Sequence, residues 1–252
     1  MYDLYPPVTE LDETSAAAVN MVLVCEHAAN MIPASFQGLG LDEATRQSHI
    51  AWDPGALGVA RALRQRFAAD LVAGSVSRLL YDCNRPPEAP SAMPEESEIF
   101  MVAGNKNLTE AARLARIQGI YEPFYSALTQ TLNRHQNGIM VTVHSFTPVY
   151  HGVRRECEIG LLHDSDSRLV DAMLAAVPGN AAFKVERNVP YSAHDGVTHT
   201  LKTHAISRGW PNVMIEIRND LIKTKSQQEE MADFLAGLLT DAISGLKENS
   251  NV

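Results

Sequence analysis

Val19-Asn20-Met21-Val22-Leu23-Val24-Cys25 runs straight into Glu26-His27. A short run that is apolar on both faces predicts a strand buried between helical layers rather than an alternating, half-wet one. Polar residues just past such a strand fall where open α/β sheets place their sites. The pattern recurs. Ile139 to Val143 is a second buried run and ends in His144-Ser145; Glu158 to Leu162 is a third, and Val213 to Ile217 is a fourth, interrupted by Glu216. Asp70 to Val76 and Arg78 to Tyr81 also read as strand material.

Helical periodicity fills the intervals. A short helix is predicted over 42–49 with Asp42 near its start, and a stronger one over 55–68 with Asp53 as cap and Pro54 in the first turn. The longest pattern covers 109–136, opened by Thr109 and stopped by Gly138, with Leu114, Ile117, Tyr121, Phe124, Leu128 and Leu132 at helical spacing. Further helices are expected at 166–177, 199–208 and 226–246, and an extended entry over the first eighteen residues. Alternating strands and helices predict an α/β fold with a central mixed, largely parallel sheet flanked by helices in three layers. The chain is read as one domain over 1–252, with its core at about 20–245. The stretch from Pro86 to about residue 98 is too long for a simple connection and is a candidate site-lining loop.

Bulk properties exclude several classes. The 252 residues carry a formal net charge of −9 and no long basic stretch, so nucleic acid is not an expected partner. No run approaches a membrane span, and the N-terminus lacks the basic and apolar regions of a signal peptide. Three widely spaced cysteines, Cys25, Cys83 and Cys157, form neither a disulfide framework nor a zinc knuckle, which suits a cytoplasmic protein. The sequence assigns no oligomeric state. There is no GxSxG, GxGxxG, Walker A or HExxH motif.

What remains is a set of polar groups at strand ends. Glu26, His27, Asp53 and His144 are the residue types zinc accepts, and three suffice for a catalytic site with one position left for water. Taken singly, each histidine is equally readable as a polar strand cap. Ser77 to Pro86 (SRLLYDCNRP) places Arg78, Asn84 and Arg85 around a short apolar run; arginine suits bidentate carboxylate recognition, while an Arg85–Asp82 pair stabilising a turn is the simpler alternative. Glu216 inside an apolar strand is costly unless paired or functional: a general base, or half of a pair with Arg218 on the same strand face. His194, His199 and His204 read as supporting or surface groups.

CEHAAN at 25–30, WDPGA at 52–56, SRLLYDCNRP at 77–86, VHSF at 143–146, RRECEIGLLHD at 154–164 and VMIEIRND at 213–220 occur in this order. The set resembles the N-formylglutamate amidohydrolase family over about residues 20–245. That family is similar to zinc carboxypeptidases and to the aspartoacylase and succinylglutamate desuccinylase group. The resemblance implies a carboxypeptidase-like hydrolase acting on a small N-acyl amino acid with one Zn²⁺, and by analogy a role in histidine catabolism. It implies His27 and His144 as metal ligands, Glu216 as base, Arg78 at the oxyanion, and Asn84, Arg85, Arg155 and Arg218 near substrate carboxylates. The relatives carry a His-x-x-Glu ligand pair; here the fourth position is Asn30, which leaves the third ligand open between Asp53, Glu26 and Asn30. Other N-acyl amino acids, short peptides and a non-catalytic binding role stay open as well.

Overall fold

The computed structural model describes residues 4–13 and 19–249. Its strands are β1 (Val8–Glu10), β2 (Met21–Cys25), β3 (Asp70–Ala73), β4 (Glu96–Ser97), β5 (Phe100–Met101), β6 (Ile139–Phe146), β7 (Val149–Tyr150), β8 (Val153–Arg154), β9 (Ile159–Leu162), β10 (Val185–Arg187) and β11 (Asn212–Arg218). Seven form the central sheet in the order β1-β3-β2-β6-β11-β9-β10; β4-β5 and β7-β8 are small separate hairpins. The four central strands β3, β2, β6 and β11 run parallel. Beyond them β1 pairs antiparallel with β3, and β9 antiparallel with β11. The sheet is mixed and largely parallel, as the apolar runs predict. The extended entry segment is the edge strand β1, although residues 1–3 and 14–18 of that prediction lie outside the described residues.

The helices are α1 (Glu43–Gln47), α2 (Ala56–Phe67), α3 (Glu110–Arg116), α4 (Glu122–Leu132), α5 (Arg168–Ala175) and α6 (Lys225–Asn249). The side chains of β2 divide between two cores, because successive residues of a strand point to opposite faces. Met21, Leu23 and Cys25 pack with α2, α5 and α6, whereas Val22 and Val24 join Phe124, Leu128 and Leu132 of α4 on the other face. This double burial explains why the central strands have no polar face until they end.

Three expectations change. Arg78 to Tyr81 is a buried turn, not a strand, with Leu80 N–H donating to the Ser77 carbonyl. The helix over 109–136 is three joined pieces: α3, a π-turn (Ile117–Tyr121) and α4, with Pro123 in the first turn of α4. The wide turn lets the helix continue into a residue that has no N–H to give. Residues 201–208 are a π-turn and a 3₁₀ turn rather than a regular helix.

Candidate active site

The carboxyl ends of the four parallel strands converge on one point. Glu26 and His27 follow β2, Arg78 and Asp82 lie in the segment after β3, His144 is near the end of β6, and Glu216 sits beside it on β11 in direct register. Asp53 comes from the loop before α2. Its side chain does not cap that helix, as the sequence suggests; Gly55, at φ 84°, occupies the cap position. The Asp53 backbone N–H donates to the His27 carbonyl, and its carboxylate is turned into the cleft, where Oδ2 accepts from the Ser145 N–H. A helix cap and an inward ligand compete for one carboxylate, and the cleft wins.

Asp53 Oδ2 lies 3.2 Å from His27 Nδ1 and 3.0 Å from His144 Nδ1, and the two nitrogens are 3.2 Å apart. The far nitrogens face other carboxylates. His27 Nε2 is 2.7 Å from Asp82 Oδ1. His144 Nε2 lies 3.1 Å from Glu26 Oε2, close in distance though not aligned as a hydrogen bond. As Nε2–H tautomers, with the outer nitrogens turned to Asp82 and Glu26, both rings present Nδ1 lone pairs inward toward Asp53. Three electron-pair donors thus face one another at contact distance, an arrangement that repels itself unless a cation sits among them. Three vertices of a tetrahedron with bonds of about 2.05 Å are separated by about 3.3 Å, close to the observed spacing. The donor set therefore fits a divalent metal, with Asp53 as third member and carboxylates orienting both histidines from behind.

The alternatives for that third position are placed elsewhere. Glu26 stands behind His144, away from the donor triangle. Asn30 Nδ2 donates to the Arg46 carbonyl and to Gln47 Oε1.

Without a metal, protons on the two rings relieve the same repulsion. Burial opposes charge on both rings. Around His27, Asp82 and Asp53 outweigh burial and Arg78, and around His144, Glu26 and Asp53 outweigh burial, so both imidazoles are raised in pKa. Asp53 is held far below the usual carboxylate range: burial pushes it up, but His27, His144 and Arg78 prevail. Asp82 is lowered in the same way by His27 and Arg78 against its burial. Glu216 goes the opposite way. Burial, helped by Asp53 and resisted by His144 and Arg78, pushes it up to about 7. Its Oε2 is buried without a hydrogen-bonding partner among the described residues.

Arg78 donates to Asp53 Oδ1 at 3.2 Å and Asp82 Oδ2 at 3.4 Å. Asn84 spends its amide on the Val197 carbonyl and the Thr200 N–H, and Arg85 donates to the Asn84 and Gly196 carbonyls. The turn-forming Arg85–Asp82 pair is thus replaced by links to the 196–200 segment. Arg155 lies against three rings, 5.4 Å from Phe146, 4.5 Å from Tyr150 and 5.0 Å from Tyr191. Arg218 does not pair with Glu216; it binds Asp220 at 2.8 Å and Glu158 at 3.3 Å, and it does not line the cleft. An inner pocket of about 120 Å³ holds the donor triangle and Glu216. It joins an outer cavity of about 370 Å³ through Arg78, Arg85, Ser145 and Tyr191, which line both. Tyr191 has no signal in the sequence.

The comparisons with known proteins supply the class, a hydrolase acting on amides, built on this mixed α/β sheet. The N-formylglutamate amidohydrolase family model matches residues 19–223, and the chain belongs to that family. The gene product Atu2144 from Agrobacterium tumefaciens is 50% identical, with a TM-score of 0.92 and 96% of each chain covered. An N-formylglutamate amidohydrolase from Ralstonia eutropha JMP134 has the same fold at 18% identity, with a TM-score of 0.62 and coverage of 96% of this chain and 98% of that one. A comparison with curated proteins finds no match.

Proposed function

We propose that this chain hydrolyses the amide of a small N-acyl amino acid, with N-formyl-L-glutamate, giving formate and L-glutamate, as the foremost candidate. The observation that carries the reading is the His27–Asp53–His144 triangle beside Glu216, whose buried Oε2 has no hydrogen-bonding partner among the described residues. A divalent ion held by those three residues, zinc by the nature of the donors, would supply Lewis acidity to the acyl carbonyl and lower the pKa of a nearby water.

The chain's own groups do the rest. Glu216, buried beside the donor triangle, takes the proton of the attacking water at Oε2 and returns it to the amide nitrogen as the carbon–nitrogen bond breaks. Arg78 is fixed by Asp53 and Asp82 and borders the inner pocket, where its charge favours the oxyanion more than the neutral carbonyl. Arg85 at the junction of the two chambers and Arg155 beside the outer one supply cationic partners for the amino-acid carboxylates. Stacking on three rings holds the Arg155 guanidinium in place before substrate arrives. Asn84 acts as a positioning residue for the segment it binds, and Arg218 ties the end of β11 to Glu158 and Asp220.

Replacing Glu216 by Gln keeps size and removes the base. Formate release from N-formylglutamate is expected to fall by roughly 10²- to 10⁴-fold with metal content and fold retained. Near-wild-type turnover in such a variant would remove Glu216 from the role.

A further inference from the structure

Arg78, Arg85, Ser145 and Tyr191 line both the inner pocket and the outer cavity, so they form the passage between the two. Three of them are already tied to the chain. Arg78 is fixed by Asp53 and Asp82, and Arg85 donates to the Asn84 and Gly196 carbonyls. Ser145 Oγ gives its hydrogen to the Pro54 carbonyl at 2.9 Å. The fourth, Tyr191, carries a hydroxyl for which neither the metal donors nor the base account.

The Tyr191 side chain spans the passage. Its ring lies against Arg155, and the same guanidinium rests on Phe146 and Tyr150, both of which line the outer cavity. The charges that act on its hydroxyl are those of Glu216, Arg155 and Arg78. Glu216 lines the inner pocket and not the outer one. The ring thus belongs to the outer chamber, and the hydroxyl reaches the inner one beside the proposed base and the arginine assigned to the oxyanion. Burial and the Glu216 charge hold the phenol above its ordinary pKa, against Arg155 and Arg78, so it keeps its proton. Its side-chain hydrogen-bonding partner is Arg155, and a guanidinium only donates. That partner takes a lone pair of the hydroxyl and leaves the O–H for a substrate oxygen.

We infer that Tyr191 is a further catalytic residue, whose hydroxyl donates to the oxygen of the scissile amide as that oxygen becomes anionic, beside Arg78. The inference rests on the hydrolase reading above. Attack of water on the acyl carbon moves the carbonyl π pair onto oxygen, and a donor aimed there acts more strongly on the tetrahedral state than on the neutral carbonyl. Tyr191 itself gives up no proton and forms no covalent bond, since Glu216 carries the proton from water to nitrogen. Arg78 brings charge to the oxyanion, and the phenol adds a directed hydrogen bond that the Arg155 charge on its ring strengthens. Substrate carboxylates are left to Arg85 and Arg155, because the charged neighbours of the hydroxyl place it at the reacting centre.

The test is Tyr191→Phe in the metal-loaded enzyme, which removes the hydroxyl and keeps the ring that Arg155 lies on. For N-formyl-L-glutamate kcat should fall by roughly 10²- to 10³-fold, the usual cost of losing one oxyanion donor, with KM little changed. Binding of N-phosphoryl-L-glutamate, a tetrahedral anion that mimics the intermediate, should weaken by a comparable factor, while inhibition by L-glutamate stays as in the wild type. Zinc content and melting temperature should not move. The inference is overturned by a raised KM and weaker glutamate inhibition at unchanged kcat, which would make Tyr191 a carboxylate-binding group. A variant that loses zinc or stability along with its turnover shows a structural hydroxyl and overturns it too. A wild type that releases no formate overturns the hydrolase reading and this inference with it, whereas equal turnover in wild type and variant overturns this one alone.

Discussion

His27 has a carboxylate at each ring nitrogen, Asp53 on the inner side and Asp82 on the outer, and the two do different work. Asp53 joins the donor triangle, while Asp82 fixes which nitrogen carries the proton and which way the ring faces. Asp82→Asn should therefore weaken zinc binding by roughly 10- to 100-fold in a chelator competition, the usual cost of losing such an orienting group, while the fold persists. Unchanged affinity would show that the ring is held by other contacts. At this scale the sequence was partly legible. Glu26, His27, His144 and Glu216 stand out because each interrupts or ends a run that is otherwise apolar, where a polar side chain is costly. Asp82 is visible but reads as a local pair with Arg85; it meets Arg78 instead, and its nearest partner, His27, is 55 residues away, a relation with no spacing rule. Tyr191 and Val197 reach the cleft from a loop with no periodic pattern at all, so nothing local marks them.

Elements are assembled by competition among local signals. The helix pattern over 109–136 was legible because its apolar residues pack on the sheet, yet Pro123 demanded a wider turn that periodicity does not show. The Arg78–Tyr81 run failed as a strand because a four-residue apolar stretch is equally content inside a buried turn. The π-turn over Leu201–Ala205 gives a prediction of its own. It buries His204, at 4% exposure, 4.7 Å from the Tyr125 ring of α4, with Nδ1 lacking a hydrogen-bonding partner among the described residues. Burial, assisted by Arg208 and His199, lowers its pKa to about 4. Below the ordinary histidine range the unfolded chain then binds a proton that the folded chain refuses. Stability is complete above about pH 6.5 and declines as pH falls toward 4, by up to about 3 kcal/mol. His204→Phe removes that titration, so its melting temperature should fall less steeply than that of the wild type between pH 7 and pH 4.5. Parallel curves would show that His204 accepts its proton without cost.

Across the whole molecule, the parallel central strands bring groups that are far apart in sequence to one edge of the sheet. His27 and His144 are 117 residues apart and their rings lie 4.9 Å between centroids. That convergence was legible as a class, since sites of open α/β sheets lie at the carboxyl ends of strands, although strand order and the antiparallel setting of β9 were not. The net charge of −9 repels anions at long range, so the proposed carboxylate substrate requires the local arginines to reverse the field at the cleft. The three donors come from three different segments, so an ion that binds them ties those segments together in the folded state alone. Saturating zinc should raise the melting temperature, and the rise should vanish when Asp53 is replaced by Ala. The central claim, a metal-dependent amide hydrolase, is tested most directly by measuring metal content and formate release from N-formylglutamate on one purified sample, before and after chelation. The account predicts about one zinc per chain, with formate release lost on chelation and restored by added zinc. Formate release that continues undiminished in metal-free protein, or zinc-loaded protein that releases no formate, would contradict it.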